Sequence, residues 1–325
     1  MTLIRSEIVG FGHCLPQKVL TNDDLSHMVD TNDEWIRTRT GICTRHISEG
    51  ETTSDISFKA AQMALKSASM TAQDLDMIIV ATVTPDNTTP TVAAKLSKRL
   101  EAKYGAICMD ISAACSGFVY ALTVVDNMIR LGQIKTALVI GAETLSNIVD
   151  WTDRNTCVLF GDGAGAAIVR ATQGNGTAED TGILATKLYA DGSHYDNLII
   201  NGGVSTTRTA GYVTMDGKEV FKFAVNALSQ AAETVMEMAG VSSKDVDFVI
   251  PHQANIRIIE GVGKKLNLPE EKVIVTVDHH GNTSAASIPL ALSENYHAGR
   301  LKKGDLVVLT AMGAGFTWGG ALVRI

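Results

Sequence analysis

An internal repeat is the feature of this sequence that most constrains its fold. Three segments of the first half return in the same order in the second half, with offsets of 171 and 168 residues for the first two: 74–80 with 245–251, 107–110 with 275–278, and 136–140 with 305–310. Helical stretches rich in Ala and Met precede both copies of the first segment, at 57–70 and 225–239. A repeat this long, in two copies, argues against a solenoid and indicates a duplicated α/β unit.

The two halves share one order of predicted elements: strand, helix, strand, helix, strand, helix, strand, strand. Strands of β-branched and apolar residues alternating with helical periods predict parallel sheets covered on both faces. Gly174-Asn175-Gly176 predicts a flexible linker, so we place the halves at residues 1–173 and 174–325. The alternative is one long doubly wound sheet with chance similarity. In a duplicated unit, the strand-end loops of both halves meet and share one site.

Composition and charge narrow the range of functions. The 325 residues carry a net charge of −7 without a long Lys/Arg run, so an acidic partner would need a local basic patch, and nucleic acid is not indicated. Five cysteines, with no C-x-x-C pair, argue against a disulfide framework and a zinc site. Neither a signal-peptide pattern nor a membrane-spanning apolar run is present. We expect a cytoplasmic protein that uses no metal and does not bind a membrane.

Cys115 is the strongest candidate nucleophile. It directly follows a predicted strand and opens an apolar helix predicted over 116–131, which Gly132 ends. Unpaired N–H groups and the helix dipole lower the pKa of a thiol at such a position, so we expect a thiolate. The alternative is a packed structural cysteine, which suits Cys108, within a strand, better than Cys115.

His252 and Asn282 are the candidate partners of this cysteine. His252 ends a predicted strand just before a helix, as Cys115 does. Asn282 stands 167 residues after Cys115, so we interpret it as the repeat counterpart of the cysteine. Its amide could donate a hydrogen bond to a developing oxyanion, although a helix N-cap is the alternative. His279 and His280, also near a strand end, are expected to be structural or supporting residues.

Two glycine turns, at 161–165 and 313–315, look at first like phosphate loops. Neither completes G-x-G-x-x-G, and no G-x-x-x-x-G-K-[ST] is present in the chain. We interpret both as tight turns between late strands. The second turn could also aim a backbone N–H into the site.

Together these motifs resemble the β-ketoacyl-[acyl-carrier-protein] synthase III family, thiolase-fold enzymes that start bacterial fatty-acid synthesis. The resemblance covers practically the whole chain and is carried by TNDEWI at 31–36, RTGI at 39–42, SAACSGF at 112–118, HQAN at 252–255, GNTSAAS at 281–287 and GFTWG at 315–319. It implies an α/β, thiolase-like fold in which two duplicated βαβαβαββ halves form a five-layered αβαβα sandwich. It also implies a homodimer.

The resemblance implies an acyltransferase that works by a ping-pong reaction. Cys115 would take an acyl group from acyl-coenzyme A, malonyl-acyl-carrier protein would lose carbon dioxide, and the carbanion would attack the acyl-cysteine. His252 and Asn282 would stabilise the enolate, and the N–H of Cys115 with one from Ala314 or Gly315 would form the oxyanion hole. Both thioesters are substrates, and no cofactor is implied. Elongating relatives carry a second His, and thiolases a second Cys, where Asn282 stands, which favours the initiating type.

The resemblance also assigns contacts to coenzyme A and to acyl carrier protein. Trp35 and Arg154 match the pair that sandwiches the adenine, where the alternatives are a packing aromatic and an exposed loop charge. The positions that match the pantetheine tunnel or its mouth are Thr31, Arg39, Met215, Gly217, Phe221 and Asn255. Those that match the carrier-protein docking segment are Gln253, Ala254, Asn255, Ile256 and Arg257, and a basic patch would be completed by Lys222, Lys264 and Lys265. For Lys264 and Lys265, a solvated helix face is the alternative.

Two positions of the expected acyl pocket depart from the family pattern. Met312 stands where the family often has Phe, and Thr89 stands where acetyl-restricted members place a bulky aromatic that reaches across the dimer. A smaller residue should deepen the pocket, so we expect longer or branched starters to be accepted. The alternatives to an initiating synthase are a specialised relative in a polyketide or signalling pathway, a non-catalytic acyl-thioester-binding protein, and a thioesterase.

Overall fold

The computed structural model describes residues 3–325, which form strands and helices. In chain order the strands are β1 Leu3–Cys14, β2 Lys18–Thr21, β3 Thr44–Ile47, β4 Met77–Ala81, β5 Ile107–Ile111, β6 Thr136–Glu143, β7 Gly163–Gly174, β8 Gly182–Ala190, β9 Leu198–Ile200, β10 Val213–Met215, β11 Phe248–Pro251, β12 Leu306–Gly313 and β13 Thr317–Arg324. The helices are α1 Asn22–Ser26, α2 Asp33–Thr40, α3 Thr53–Ser67, α4 Val92–Arg99, α5 Gly117–Arg130, α6 Gly217–Ala239, α7 Ile256–Lys265, α8 Val277–His280 and α9 Ser287–His297.

Two main sheets repeat one topology, which confirms the duplication. The first has the order β1-β7-β6-β4-β5 and the second β8-β13-β12-β11, so each strand of the second sheet has a counterpart at the same place in the first. The prediction of parallel sheets is confirmed only in part. In both sheets the first three strands are antiparallel neighbours, and only the later pairs, β6-β4, β4-β5 and β12-β11, are parallel.

The second half lacks a regular counterpart of β5. Residues 275–278, predicted as a strand, enter the short helix α8 instead. In the first half β5 pairs with β4 along its length. At the corresponding place in the second half there is only an isolated parallel bridge between Val249 and Val273. The segment from Thr276 turns early because the buried amide oxygen of Gln253 accepts hydrogen bonds from the N–H groups of Thr276 and Val277, which fixes the start of α8.

The sheets and helices stack in five layers. Helices α5 and α9 lie between the two sheets and contact both of them, while α3 and α4 cover the outer face of the first sheet and α6 and α7 that of the second. The central layer is apolar as the sequence predicts: Phe118, Val119 and Leu122 of α5 are 1% exposed or less. Close approach of α9 requires glycine on the first sheet, because a Cβ at Gly165 would run into the backbone of Pro289.

The predicted linker begins at the last residue of β7, Gly174, and continues into the loop before β8. The N–H groups of Asn175 and Gly176 donate to the carboxylate of Asp180, which also pairs with the buried Arg5 at 3.0 Å. These contacts hold the loop against the first sheet, contrary to the flexibility expected from its glycines. The division into halves at 173/174 stays a prediction. Within residues 3–325, no helix combines the length and the apolarity needed to cross a bilayer.

Candidate active site

The three candidate catalytic side chains line one cavity of about 950 Å³. Cys115 lies in the one-turn helix Ala114–Ser116 between β5 and α5, His252 directly follows β11, and Asn282 follows α8. The cysteine comes from the first half of the chain and its two neighbours from the second. The cavity is therefore built across the junction of the halves, as the duplicated fold leads one to expect.

Cys115 sits on a sharp turn and is hardly exposed to solvent. Ala114 before it has a φ of 43°, in the left-handed region that residues with a side chain rarely adopt, and α5 begins only at Gly117. The side chain of Cys115 is buried, and this burial, opposed by a hydrogen bond with Ser284, raises the pKa of the thiol to about 12. The expectation of a resting thiolate is thus wrong, because loss of solvent outweighs the helix N-terminus.

His252 is a neutral imidazole held by a hydroxyl group. It is 3% exposed, and burial lowers the pKa of its ring to about 3. Its Nδ1 lies 2.8 Å from Oγ of Ser287, which also accepts a hydrogen bond from the N–H of Gln253 at 3.3 Å. Within residues 3–325, Nδ1 of His252 is the one acceptor near this hydroxyl, so its hydrogen is available to Nδ1. This arrangement favours the tautomer with hydrogen on Nε2, a donor for the cavity.

Asn282 has one half of its amide engaged and the other half available. Its Oδ1 accepts a hydrogen bond from the N–H of Ser284 at 2.9 Å, a local capping contact of the kind proposed as the alternative role. This contact orients the amide group, so its NH₂ is the part left to donate. The backbone N–H of Asn282 donates to the carbonyl of Leu159, and its carbonyl accepts from the N–H of Gly161.

The interpretation of Asn282 as the repeat counterpart of Cys115 is wrong. The turn Ala114–Ser116 corresponds to the turn Ser284–Ala286, and each begins with a residue of positive φ, 43° at Ala114 and 48° at Ser284. The counterpart of Cys115 is therefore Ala285. Asn282 reaches the cavity from the loop that precedes the second turn.

The glycine turn after β12 lies directly against the nucleophile. A Cβ at Gly313 would stand 2.6 Å from the backbone nitrogen of Cys115, so only glycine permits this approach. Ala314 and Gly315 line the same cavity. The other glycine turn leads into β7, and its Gly161 donates to Asn282 as described above, so it supports the site without lining it.

Most of the positions expected to hold coenzyme A belong to the cavity. Trp35, Arg39, Met215, Gly217, Phe221 and Asn255 line it. Arg154 stacks on the ring of Trp35 with its guanidinium 4.5 Å from the ring centroid, and Arg39 contacts the same ring at 4.8 Å. Thr31 does not line the cavity, and its hydroxyl is buried without a hydrogen-bond partner. An adenine ring between Trp35 and Arg154 would have to separate the two.

Only part of the segment that was expected to dock the carrier protein is exposed at the surface. The contact predicted between Gln253 and a carrier protein is wrong, because its side chain is fully buried and its amide NH₂ donates to the carbonyls of Pro251 and Ile274. Arg257 is exposed and stacks on Phe221 at 5.1 Å. Ala254 and Ile256 are half-buried, and the basic side chains at Lys222, Lys264 and Lys265 are exposed. Asn255 caps α7 through its side-chain oxygen.

Of the two positions expected in the acyl pocket, only Met312 lines the cavity. Met312 is buried and lines the cavity beside Cys115. Thr89 is exposed on the loop after β4 and does not line the cavity of its own chain. Its assignment depends on a second copy of the chain and stays a prediction.

Sequence reasoning gave no role to three residues around the site. Ser287 holds His252, and Ser284 contacts both Cys115 and the buried carboxylate of Glu143. Both serines stand in the GNTSAAS motif, so the signal was present. Glu143 ends a buried strand. The signal in the sequence that could have found it is its acidic side chain at the end of an apolar run.

Close to Asn282, a cluster of His279, His280 and Glu294 offers three ligand atoms within 4.8 Å of one another. Ion pairing accounts for the arrangement: His279 lies 2.9 Å from Asp278 and 3.1 Å from Glu294, and these two carboxylates raise the pKa of its ring to about 10. His280 is buried and 3.4 Å from Glu294. The cluster fits the structural role expected for these histidines.

A duplicated five-layered fold, with Cys, His and Asn around one cavity, defines a thiolase-like condensing enzyme. Residues 109–192 match the family described as 3-oxoacyl-[acyl-carrier-protein (ACP)] synthase III, and residues 236–325 match its C-terminal family. The chain is 55% identical to beta-ketoacyl-[acyl-carrier-protein] synthase III of Paramagnetospirillum magneticum, over 99% of this chain and 100% of that protein. The chain therefore belongs to the β-ketoacyl-[acyl-carrier-protein] synthase III family.

Solved structures agree with this assignment. The crystal structure of 3-oxoacyl-[acyl-carrier-protein] synthase III from Aquifex aeolicus VF5 is 49% identical, covers 98% of this chain and all of that chain, and has a TM-score of 0.92. The priming β-ketosynthase from the R1128 polyketide biosynthetic pathway has a TM-score of 0.91 at 33% identity, with 98% of this chain and 96% of that one covered. Both confirm the thiolase-like fold.

Proposed function

We propose that this chain is a β-ketoacyl-[acyl-carrier-protein] synthase III that condenses an acyl-coenzyme A starter with malonyl-acyl-carrier protein. The products are 3-oxoacyl-carrier protein, coenzyme A and carbon dioxide. The observation that supports this function best is the one cavity that Cys115 shares with two neutral hydrogen-bond donors, His252 and Asn282. The family named above gives the reaction its class.

In the first half-reaction, Cys115 attacks the acyl thioester and coenzyme A leaves. The tetrahedral intermediate carries a negative oxygen, which backbone N–H groups at Cys115 and in the turn of Ala314 and Gly315 would stabilise. The close approach of Gly313 to Cys115 brings these two pieces of backbone together. Covalent capture divides one difficult step into two easier ones.

In the second half-reaction, the malonyl thioester loses carbon dioxide and becomes an enolate. Nε2–H of His252 and the NH₂ of Asn282 would donate to its oxygen. Because His252 is neutral when buried, it serves as a hydrogen-bond donor and gives up no proton to the enolate. The carbon nucleophile then attacks the acyl-cysteine, and the sulfur of Cys115 leaves.

The substrates would bind along the cavity from its mouth inward. Trp35 and Arg154 would receive the adenine of coenzyme A, with Arg39 beside them, and the pantetheine arm would pass the apolar lining toward Cys115. Exposed Arg257 and Lys222 at the mouth would attract the acidic carrier protein. Both thioesters are substrates, so the reaction needs no metal or resident cofactor.

The starter preference is the finer part of the proposal. A homodimer would place Thr89 of one copy at the acyl pocket of the other, and its small side chain would leave room for branched starters. Thr89→Phe should then lower turnover of isobutyryl-coenzyme A relative to acetyl-coenzyme A. An unchanged ratio would contradict the role given to Thr89.

Acyl labelling followed by a chase tests the function as a whole. The protein is incubated with radiolabelled acetyl- or isobutyryl-coenzyme A, beside Cys115→Ala, and then mixed with malonyl-acyl-carrier protein. We expect a covalent label that is lost in the alanine variant and passes into 3-oxoacyl-carrier protein. Absence of the label with both starters would refute Cys115 as nucleophile, and release of free acid would indicate a thioesterase.

A stable label that malonyl-carrier protein does not remove would favour a second candidate function. In that case the chain would be a specialised condensing enzyme with another second substrate. The observation that favours this candidate is the close structural likeness to a priming ketosynthase of a polyketide pathway.

A further inference from the structure

Three side chains beside the active site converge where α8 meets α9. His279 and His280 are the last two residues of α8, and Glu294 lies on α9. Nε2 of His279 lies 3.1 Å from Oε1 of Glu294, and Nε2 of His280 lies 3.4 Å from Oε2 of the same carboxylate. Two helices thus direct three groups of the kind that binds metal ions toward one point.

The distances within this cluster fit a tetrahedral zinc ion. Zn²⁺ binds imidazole nitrogen and carboxylate oxygen at about 2.0–2.2 Å, so two ligands of a tetrahedral ion stand roughly 3.4 Å apart. The two nitrogen–oxygen distances, 3.1 and 3.4 Å, are close to this value. The ligand atoms of the two imidazoles lie within 4.8 Å of each other, and His279 has room to move closer because 41% of its side chain is exposed. Two His and one Glu, with a fourth position open to water, is a known donor set for zinc.

Ion pairing explains the position of His279 but not that of His280. His280 is 3% exposed, and burial lowers the pKa of its ring to about 4, so the ring is neutral. Within residues 3–325, its buried Nδ1 has no hydrogen-bond partner. Because no partner of Nδ1 fixes the tautomer, the lone pair of Nε2 is available to a metal. A neutral imidazole is the form in which histidine binds metal ions.

The surroundings of the cluster also suit a metal ion. Nδ1 of His279 lies 2.9 Å from Oδ1 of Asp278. A carboxylate behind a histidine ligand orients the ring and strengthens its binding to the metal. Asp278 and Glu294 together balance the charge of a divalent cation, which would replace the proton that they now hold on His279. The side chain of Glu294 is 38% exposed, so an ion can enter from solvent.

We propose that His279, His280 and Glu294 bind one Zn²⁺ ion, which fastens the end of α8 to α9. The connection between these helices, residues 281–286, contains Asn282. The ion would therefore hold both ends of the segment that carries this active-site amide. Its role is structural, and the inference does not depend on the proposed function, whose reaction needs no metal.

Titration of the untagged full chain with Zn²⁺ tests this site. The protein is freed of metals with a chelator and titrated at pH 8.5, where fewer protons compete for imidazole, against a chromophoric chelator. We expect one ion per chain. Co²⁺ in place of Zn²⁺ should give the visible absorption of a tetrahedral complex, and Mg²⁺, which prefers six oxygen ligands, should not compete. Zn²⁺ should also raise the urea midpoint, because the ion binds the folded chain.

Variants connect the binding to these residues. His279→Gln and Glu294→Gln each remove one ligand and should abolish both the binding and the rise in the urea midpoint. Asp278→Asn keeps the three ligands and should weaken the affinity about 10–100-fold. His27→Gln changes an exposed histidine at the end of α1, and Cys115→Ala removes the active-site thiol, so both should bind Zn²⁺ as the unmodified protein does.

Three results would overturn the proposal: no uptake of Zn²⁺ by the unmodified protein, equal uptake by His279→Gln, or loss of uptake in Cys115→Ala. His279→Gln decides the matter even where Glu294→Gln does not fold, because it alters a half-exposed side chain. The proposed function is tested separately, by the acyl chase in the presence of the chelator, so that the failure of one proposal leaves the other in place.

Discussion

Replacing Asn282 by aspartate separates its two roles, because only one end of the amide changes. The oxygen that accepts from the N–H of Ser284 at 2.9 Å is kept, so the local capping contact survives. The NH₂ group becomes an oxygen that cannot donate. Removal of one donor to a developing oxyanion reduces turnover by about 10²–10³, or roughly 2.7–4 kcal/mol. We expect this loss in the condensation step. The new carboxylate is buried, at a residue that is 7% exposed, so the free energy of unfolding should fall as well.

Acylation and condensation can be measured separately on the same variant. Asn282→Asp is labelled with radioactive acetyl-coenzyme A, freed from excess label and mixed with malonyl-acyl-carrier protein in a rapid-quench instrument. Labelling should approach that of the unmodified protein, and the chase should be slow. Asn282→Ala is the matched control, since it loses both the donor and the capping contact and should also unfold more easily. A normal chase in Asn282→Asp would refute the role as donor, leaving the capping role alone.

Three further predictions concern charge and pH. Arg257→Glu reverses an exposed charge at the cavity mouth and should raise the KM for malonyl-carrier protein about tenfold at low salt, with a smaller effect in high salt and none on the extent of Cys115 labelling. Burial lowers the pKa of His252 to about 3, so the condensation rate of the pre-acylated protein should show no step near pH 6.5; such a step would mean that the imidazole is solvated. The pKa of His279 is raised to about 10 by Asp278 and Glu294, so its contribution to stability is complete below pH 6.5 and is lost as the pH rises through 10. His279→Gln should accordingly lower the urea midpoint at pH 6 and not at pH 10.5, and equal losses at both values would refute the ion-pair explanation.

The duplication was readable in the sequence because its landmarks are buried strands and helices. Residues 74–80 and 245–251 recur because both lead into a strand packed between helix layers, where apolar β-branched residues are required. The missing counterpart of β5 could not be read from residues 275–278. Their apolar character fits a strand, and the contacts that make them a helix come from Gln253, more than twenty residues away.

The site was predictable in its residue types and less so in its electrostatics. A cysteine after one strand and a histidine after another mark two strand ends, an asparagine stands in a loop, and the fold brings the three together. The pKa of Cys115 was predicted in the wrong direction because local sequence shows the helix N-terminus and not the burial around it. Gln253 was misassigned for a similar reason, since a polar residue in a loop is exposed by default and this one is enclosed.

One segment of the second half organises the whole site. Asn282 is fixed to the first half by two backbone hydrogen bonds, to Leu159 and Gly161, and Ser284 two residues later contacts Cys115 and Glu143. Ser287 of the same segment holds His252. Cys115 and the donors of the second half are thus aligned only while the two halves remain docked, because the backbone contacts of Asn282 and the hydroxyl of Ser284 join the second half to the first. A substitution that loosens the docking should therefore impair acylation of Cys115 and enolate binding together, whereas a substitution inside one half should affect one step alone.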